Sequence, residues 1–325
     1  MSFYLEQVKR AIEATAFHSA SSFSWFGKES PRLAPRVRRG MTPRAMRNYL
    51  LYHLQAQLYS DFYVRGGAVR RLWSGDSGAA DPAAFARSLS AANTGRGCLE
   101  NGWEVLTESQ GHVVVRRGGL TLWVRPEECS IDGSGAALQL PKELLNISPG
   151  YYMVLGDRGD AAGRPELLLR VYWNLRAEGA ASFVNCATAR LNAARLFFRL
   201  KVLADPSAYT RCDAAVIYLH RQDYAQAAPI LNIVRYSVVA HLNAATPAFT
   251  KTLAPGVGLA EDPGETESFG QHRCRLLADG MIRAYEQKVR SLDQRLEAVR
   301  DRWTEEGLSL ERPYLCPNST DIYPC

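Results

Sequence analysis

The residues with the clearest chemical potential lie in an apolar run at 197–203, whose composition predicts a strand with Lys201 near its middle. The chain has six lysines and thirty-three arginines, so a lysine here is unusual for this sequence. Lysine, unlike arginine, can lose its proton when it is desolvated or crowded by other cations. Arg199 shares the strand face by alternation. The pair predicts a general base beside an arginine; the alternative is a packed lysine stem whose ammonium reaches water.

Polar side chains at every second position mark three predicted strands. They are Arg170, Tyr172 and Asn174 on the first, Arg199 and Lys201 on the second, and Arg211 and Asp213 on the third. The guanidinium group of arginine can donate two parallel hydrogen bonds to a phosphate dianion. If the polar faces of these three strands lie together, they would therefore hold a phosphate next to the Lys201 base. This arrangement predicts phosphoryl transfer or elimination. The alternative is the solvated face of an antiparallel sheet, with Asp213 paired to an arginine.

His272 and Arg273 stand at the start of the last predicted helix. A helix N-terminus attracts anions, and two basic side chains there suit phosphate. His272 is therefore a candidate general acid, although a histidine that only packs is the alternative.

Composition excludes several function classes. The net charge of +6 is spread along the chain, with no basic stripe that would predict nucleic-acid binding. No apolar run approaches the roughly 20 residues of a membrane helix. The seven cysteines lack disulfide-framework or zinc spacing, which favours a reducing cytoplasm and no metal. The segment 255–263 contains G-x-G without a third glycine, so no nucleotide cofactor is expected.

Periodicity predicts an α+β fold: a mixed, largely antiparallel sheet flanked by helices, after a helical N-terminal region. We expect two domains, a mainly helical region at 1–110 and an α+β catalytic region at 111–325. Predicted strands are 113–115, 120–124, 151–155, 167–175, 197–203 and 211–219. Predicted later helices are 180–195, 223–241 and 270–306. Loops are expected at 19–43, 76–82, 157–163 and 251–270, the last with a functional role.

The last helix has apolar residues at steps of three and four, among them Ile282, Val299 and Trp303. This stripe predicts either a partner-binding seam or packing against the protein's own sheet.

Several motifs resemble the HopA-type effector family, first named for a type III effector of plant pathogens. They are Arg170-Val-Tyr-Trp-Asn-Leu, Phe198-Arg-Leu-Lys-Val-Leu, Arg211-Cys-Asp-Ala-Ala-Val-Ile-Tyr, Thr246-Pro-Ala-Phe-Thr-Lys, Leu253-Ala-Pro-Gly-Val-Gly-Leu-Ala-Glu-Asp-Pro and Ser268-Phe-Gly-Gln-His-Arg-Cys. Further matches include Ala92-Asn-Thr-Gly, Ser148-Pro-Gly-Tyr-Tyr and Pro313-Tyr-Leu. The similarity covers roughly residues 45 to 325.

The resemblance implies a lyase in the biosynthesis of ribosomal peptides such as class V lanthipeptides and thioviridamide-like thioamitides. In such clusters a separate kinase-like protein phosphorylates Ser or Thr of a precursor peptide, which carries a leader and a core. The HopA-like protein then eliminates phosphate to leave dehydroalanine or dehydrobutyrine. The implied partners are thus the precursor peptide and the kinase-like protein, with no nucleic acid, membrane or cofactor.

A more distant resemblance links the chain to phosphothreonine lyases, which have a K-x-H strand, a lysine base and a phosphate-binding arginine. Arg170-Val-Tyr172, Lys201 and Arg211 fall at similar spacings. Tyr172 replaces the histidine acid of those enzymes, so the acid is Tyr172, His272 or no dedicated group.

The sequence therefore predicts phosphoserine or phosphothreonine β-elimination with Lys201 as base. Phosphate would be held by Arg170, Arg199, Arg211 and Arg273, while Asn174 and Asp213 orient these groups. The alternatives are a phosphopeptide phosphatase, a non-catalytic phosphopeptide- or leader-binding subunit of a kinase complex, and an effector that disturbs host signalling.

Overall fold

The computed structural model describes residues 3–67, 81–109, 111–117, 120–133, 135–145, 147–159, 167–264 and 267–324. The helices are α1 (Phe3–Ala14), α2 (Pro35–Arg39), α3 (Pro43–Asp61), α4 (Pro82–Ala92), α5 (Ala180–Ala193), α6 (Tyr224–Val238), α7 (Phe269–Glu286) and α8 (Leu292–Glu305). The strands are β1 (Thr15–Ser19), β2 (Ser22–Trp25), β3 (Lys28–Glu29), β4 (Cys98–Ser109), β5 (His112–Arg117), β6 (Leu120–Val124), β7 (Cys129–Asp132), β8 (Gly135–Leu140), β9 (Glu143–Leu144), β10 (Tyr151–Leu155), β11 (Leu168–Trp173), β12 (Phe198–Leu203), β13 (Ala215–His220), β14 (Lys251–Ala254) and β15 (Val257–Glu261).

The chain forms two compact units that interleave along the sequence. The helical unit comprises Met1–Ser74, Arg211–Asp213 and Ala244–Cys325, and the sheet unit comprises Gly75–Thr210 and Ala214–Asn243. The α+β class is confirmed, and every strand pair described below is antiparallel. The division into 1–110 and 111–325 remains a prediction.

The sheet unit contains two sheets. One has the strand order β6-β5-β4-β8-β7, and its core consists of Trp103, Val113, Val115, Ala136 and Leu138. The other, which we call the central sheet, runs β9-β10-β12-β13-β11 within this unit. Since β11 and β12 are each antiparallel to β13, they run parallel to each other with β13 between them. The predicted strand–helix–strand unit is therefore present as β11, α5 and β12, with a third strand inserted.

Alternation divides the central sheet into two faces. One face is apolar and buried, with Val171, Leu200 and Ile217 fully inaccessible to solvent. On this face Trp173 packs against Phe183 of α5, with ring centroids 5.0 Å apart. The opposite face carries the polar residues of β11 and β12, as the period-two pattern predicted.

The helical unit is built from α1, α3, α7 and α8, with α3 and α8 both packed on α7. The predicted helix 270–306 is in fact two helices. Lys288 adopts a positive φ of 58°, and Ser291 caps α8 by accepting a hydrogen bond from Gln294 N. The break lets α8 fold back on α7, so Val299 and Trp303 are buried inside the unit. The apolar stripe is therefore internal packing between helices, not packing on a sheet.

Two predicted loops are wrong. Residues 19–43 hold β2, β3 and α2, because a serine-rich segment forms a small hairpin that buries Phe23 and Trp25. Residues 251–270 hold the β14–β15 hairpin, whose turn uses Gly256 at a φ of 78°. The predicted loop at 76–82 and that at 157–163 lie largely outside the described residues.

Two further boundaries differ from prediction in the sheet unit. The stretch 98–109, expected to be helical, is β4, and its alternation is interrupted by a register shift between Glu100 and Trp103. The strand predicted at 211–219 begins only at Ala215, so Arg211 and Asp213 lie in the turn before it.

Gly280 provides a test of the α7–α8 contact. A Cβ atom at this position would lie 2.6 Å from the Cα of Val299, a backbone atom that cannot move aside cheaply. Alanine normally stabilises a helix relative to glycine, but the steric overlap here should dominate. We predict that Gly280→Ala lowers the free energy of unfolding by about 1–3 kcal/mol in urea titrations.

The matched control is Gly40→Ala in the same unit, where the added Cβ would meet only Val37 O at 3.7 Å. This variant should change stability little. A Gly280→Ala protein at least as stable as the wild type would contradict the close α7–α8 packing.

Candidate functional site

The polar face of the central sheet brings four of the predicted residues together. Tyr172, Val216 and Lys201 are directly opposite one another across β11, β13 and β12. Two residues along, Arg170, Tyr218 and Arg199 form a second cross-strand row. Directly paired residues project from the same side of a sheet, so both rows face the same way. We call this surface the cationic face.

Lys201 is half-buried, and its ammonium contacts aromatic rings. Its Nζ lies 4.5 Å from the ring centroid of Tyr151 and 5.8 Å from that of Tyr218. Across the residues that the structure describes, the side chain of Lys201 has no hydrogen bond and no carboxylate partner. Cation–π contacts of this kind contribute about 0.5–1 kcal/mol each at partly exposed sites. They hold the side chain in place.

The two arginines of the cationic face have different surroundings. The guanidinium of Arg170 lies 5.2 Å from the centroid of Tyr218. Arg199 is exposed, and its Nη2 lies 3.9 Å from Glu100 Oε1. Glu100, on β4 of the other sheet in the same unit, is only 7 % exposed and is also paired with Arg117 at 3.2 Å. A buried carboxylate requires such partners, so Glu100 anchors one edge of the face.

Tyr172 is buried at 3 % exposure within its row. Asn174, two residues further along the chain, lies just beyond the end of β11 and is also buried. The Oδ1 of Asn174 accepts a hydrogen bond from Asn243 Nδ2 at 3.2 Å, and its carbonyl accepts one from Asn243 N at 2.9 Å. Asn174 therefore fixes the chain that follows α6 to the end of β11.

The remaining predicted site residues belong to the helical unit and are described within it. Arg211 donates to both carboxylate oxygens of Asp213, with Nη2 2.8 Å from Oδ2, and to the hydroxyl of Tyr59 at 3.1 Å. Burial raises the pKa of Tyr59 to about 12, so its hydroxyl stays protonated. The phosphate-binding role of Arg211 and the orienting role of Asp213 remain predictions.

Arg273 has a structural position that removes the reason for predicting phosphate binding. It is 1 % exposed, and it donates to Pro313 O at 2.8 Å and to Leu315 O at 2.9 Å. Its guanidinium thus holds the C-terminal segment in the core of the helical unit. An arginine without solvent access offers no surface to a phosphate, so this burial argues against a phosphate-binding role for Arg273.

His272 does not have the properties of a general acid. Its Nδ1 accepts a hydrogen bond from Arg273 Nη1 at 2.7 Å. Burial and the charges of Arg273 and Arg275 lower its pKa to about 4. The imidazole is therefore neutral at neutral pH, which disfavours the proton-donating role predicted for it.

Sequence reasoning missed three residues of the cationic face and its edge. Tyr218 lies on the third predicted strand, but it is out of phase with Arg211 and Asp213, so the period-two pattern points away from it. Tyr151 starts a predicted strand with no polar pattern of its own. Glu100 had no signal, because β4 was predicted to be helical.

In the described part of the chain, no group of three or more His, Cys, Asp or Glu side chains is placed to hold a metal ion. Of the helices described, none combines the length and apolar character that crossing a bilayer requires.

His272 should make folded-state stability depend on pH. Its folded pKa of about 4 lies below the ordinary histidine value of 6.5, so between these values the unfolded chain binds a proton that the folded chain does not. The resulting loss of stability is absent above pH 6.5 and grows as the pH falls towards 4. Urea midpoints should therefore fall more steeply with acidification in the wild type than in His272→Gln. Identical pH dependence in the two proteins would contradict this assignment.

Comparison with known proteins places these observations in a family context. The model of the HopA1 effector protein family matches residues 143–315, a range that includes all the predicted site residues. The fold is shared with an effector protein of Pseudomonas syringae pv. tomato strain DC3000, at TM-score 0.51 and 14% identity over 83% of this chain and 96% of that one. It is also shared with an effector protein of Pseudomonas syringae pv. syringae strain 61, at TM-score 0.52 and 13% identity over 97% and 98%. No curated protein matches the chain.

Proposed function

We propose that this chain, which belongs to the HopA1 effector protein family, is a lyase that eliminates phosphate from phosphoserine or phosphothreonine in a peptide. Membership confirms the resemblance drawn from the motifs, while the activity is our inference. One observation carries it. Lys201 shares the cationic face with Arg170 and Arg199 and has no carboxylate partner in the described part of the chain.

Phosphate binding is favoured by the relative strength of the interactions on this face. A charge-assisted hydrogen bond from guanidinium to phosphate contributes roughly 1.5–3 kcal/mol. The ring contact of Arg170 is weaker, at about 0.5–1 kcal/mol. The side chain of Arg199 is 44% exposed, so its 3.9 Å pair with Glu100 contributes little more than about 1 kcal/mol. A phosphate dianion would therefore draw the guanidinium of Arg199 away from Glu100 and towards itself.

In the reaction we propose, the uncharged amine of Lys201 removes the Cα proton of the phosphorylated residue. The electron pair of the Cα–H bond forms the Cα=Cβ double bond, and the Cβ–O bond breaks. Tyr172, which lies in the same cross-strand row as Lys201, donates a proton to the bridging oxygen. The products are inorganic phosphate and dehydroalanine or dehydrobutyrine. Lys201 leaves the cycle as an ammonium, and solvent restores both groups.

The arginines would act mainly on the leaving group. Negative charge moves onto the phosphate oxygens as the Cβ–O bond breaks, and preorganised cations stabilise that charge most where it develops. Tyr151 and Tyr218 hold the Lys201 side chain beside them. We propose a phosphorylated ribosomal precursor peptide as the substrate and a separate kinase-like protein as the source of the phosphate. The sequence resemblance supports both.

Removing the base should separate chemistry from binding. We predict that Lys201→Ala lowers the rate of elimination by about 10²–10⁴-fold, the usual contribution of a positioned general base. Binding of the phosphopeptide should persist, because both arginines remain. The rate is measured by mass spectrometry as loss of phosphoric acid from the peptide, and binding by fluorescence anisotropy. Lys28→Ala, at an exposed lysine of the helical unit, is the control and should retain full activity.

Each rival function has its own outcome. A phosphatase would return unmodified Ser or Thr instead of a dehydrated residue. A non-catalytic binding subunit would yield no dehydrated peptide by itself, and Lys201→Ala would leave its support of the kinase unchanged. Either result would overturn the lyase proposal.

A further inference from the structure

The sheet unit also contains a cavity of about 560 Å³ that none of the residues of the cationic face lines. It is lined by Asp157, Arg158, Asn192 and Arg195. Its position follows from the central sheet, because Gly156 N donates to Phe198 O at 3.0 Å just beyond the end of β10. The cavity therefore lies at the end of the β10–β12 pair, on the side of Arg199 and away from Leu203.

Arg195 occupies an uncommon backbone position. Its φ is 53°, in the left-handed region that usually holds glycine where a helix ends. Leu196 N donates to Leu191 O at 3.2 Å, which closes the end of α5 around it. A positive charge at a helix C-terminus is itself favourable, but glycine would avoid the backbone strain. Arginine at this position therefore has a backbone cost that a function of its side chain would explain.

The charges of the cavity are incompletely paired. Arg158 Nη1 donates to Arg195 O at 3.1 Å, and neither arginine has a carboxylate partner among the residues that the structure describes. The carboxylate of Asp157 accepts a hydrogen bond from the backbone N of Arg96, and the backbone N of Asp157 donates to the side-chain Oδ1 of Asn192. The Nδ2 of Asn192 is buried with no hydrogen-bond partner within the described ranges. Two guanidinium groups and an unused amide donor suit an oxyanion.

We propose that this cavity binds an oxyanion carried by the peptide substrate at a distance from the reacting residue. The favoured source is the carboxylate of an Asp or Glu side chain. A second phosphorylated residue offers the same chemistry with two charges, and the carboxylate of Asp157 would repel it more strongly. The nature of the bound molecule rests on the proposed function, since the cavity is read as a subsite for the same peptide.

The register of the central sheet gives the expected spacing. Lys201 is opposite Met153, and Asp157 lies four positions further along the same chain. At about 3.3 Å per residue, this corresponds to about 13 Å along the strand. An extended peptide covers that distance with about four residues, so the acidic side chain should lie three to five positions from the phosphorylated residue.

The test uses the Lys201→Ala protein, in which elimination is slow on the time scale of a binding measurement, so the result does not depend on the lyase activity. Fluorescent phosphothreonine peptides carry a single Glu, Gln or phosphoserine at each of three to five positions on either side. Anisotropy gives their dissociation constants. We expect a Glu peptide at one offset to bind about threefold to tenfold more tightly than its Gln counterpart and than the phosphoserine peptide. Arg158→Gln and Arg195→Gln should each abolish that preference.

Arg190→Gln is the matched control, because Arg190 is an exposed arginine on α5 that does not line the cavity. This variant should keep the Glu preference. Equal binding of Glu and Gln peptides at every offset would overturn the proposal, as would a preference that survives in Arg158→Gln and Arg195→Gln. Tighter binding of the phosphoserine peptide would overturn the choice of a carboxylate. Circular dichroism of each variant reports folding separately.

Discussion

A lysine amine held by aromatic rings instead of a carboxylate is the feature on which the proposed chemistry depends. Lys201 Nζ lies over the rings of Tyr151 and Tyr218, which position the amine without a carboxylate contact. A carboxylate in the same place would pair with the amine and repel phosphate. The central sheet thus places the amine on a face that also carries the guanidinium groups of Arg170 and Arg199.

The rest of the sheet unit fixes the pairing register of the strands that carry the cationic face. The opposite side of the same strands is apolar and buried, so a shift by one residue would turn the cations into the core. Glu100 adds a constraint from the neighbouring sheet through its pairs with Arg117 and Arg199. Arg199, at the edge of the cationic face, therefore has the carboxylate of Glu100 beside it, while Lys201 has no carboxylate partner among the described residues.

The sequence predicted the strands of the central sheet well, because alternating apolar residues packed against a helix leave a strong period-two signal. It placed Lys201, Arg199, Arg170 and Tyr172 on one face for the same reason. It did not identify Arg273 as a core residue, since a buried arginine that binds backbone carbonyls has no local pattern.

Tertiary contacts also account for the missed elements. The serine-rich hairpin after α1 and the turn that separates α7 from α8 depend on packing that periodicity does not encode. The low pKa of His272 arises from burial and from arginine charges, neither of which a motif reveals. Its predicted role as an acid therefore rested on helix position alone.

The most direct measurement uses a phosphopeptide that carries deuterium at the Cα of its phosphorylated residue. The account predicts that the wild-type protein converts it to a dehydrated peptide that has lost both phosphoric acid and the deuterium, as observed by mass spectrometry. A dephosphorylated product that retains the deuterium, or a peptide that stays unchanged, would contradict proton abstraction by Lys201.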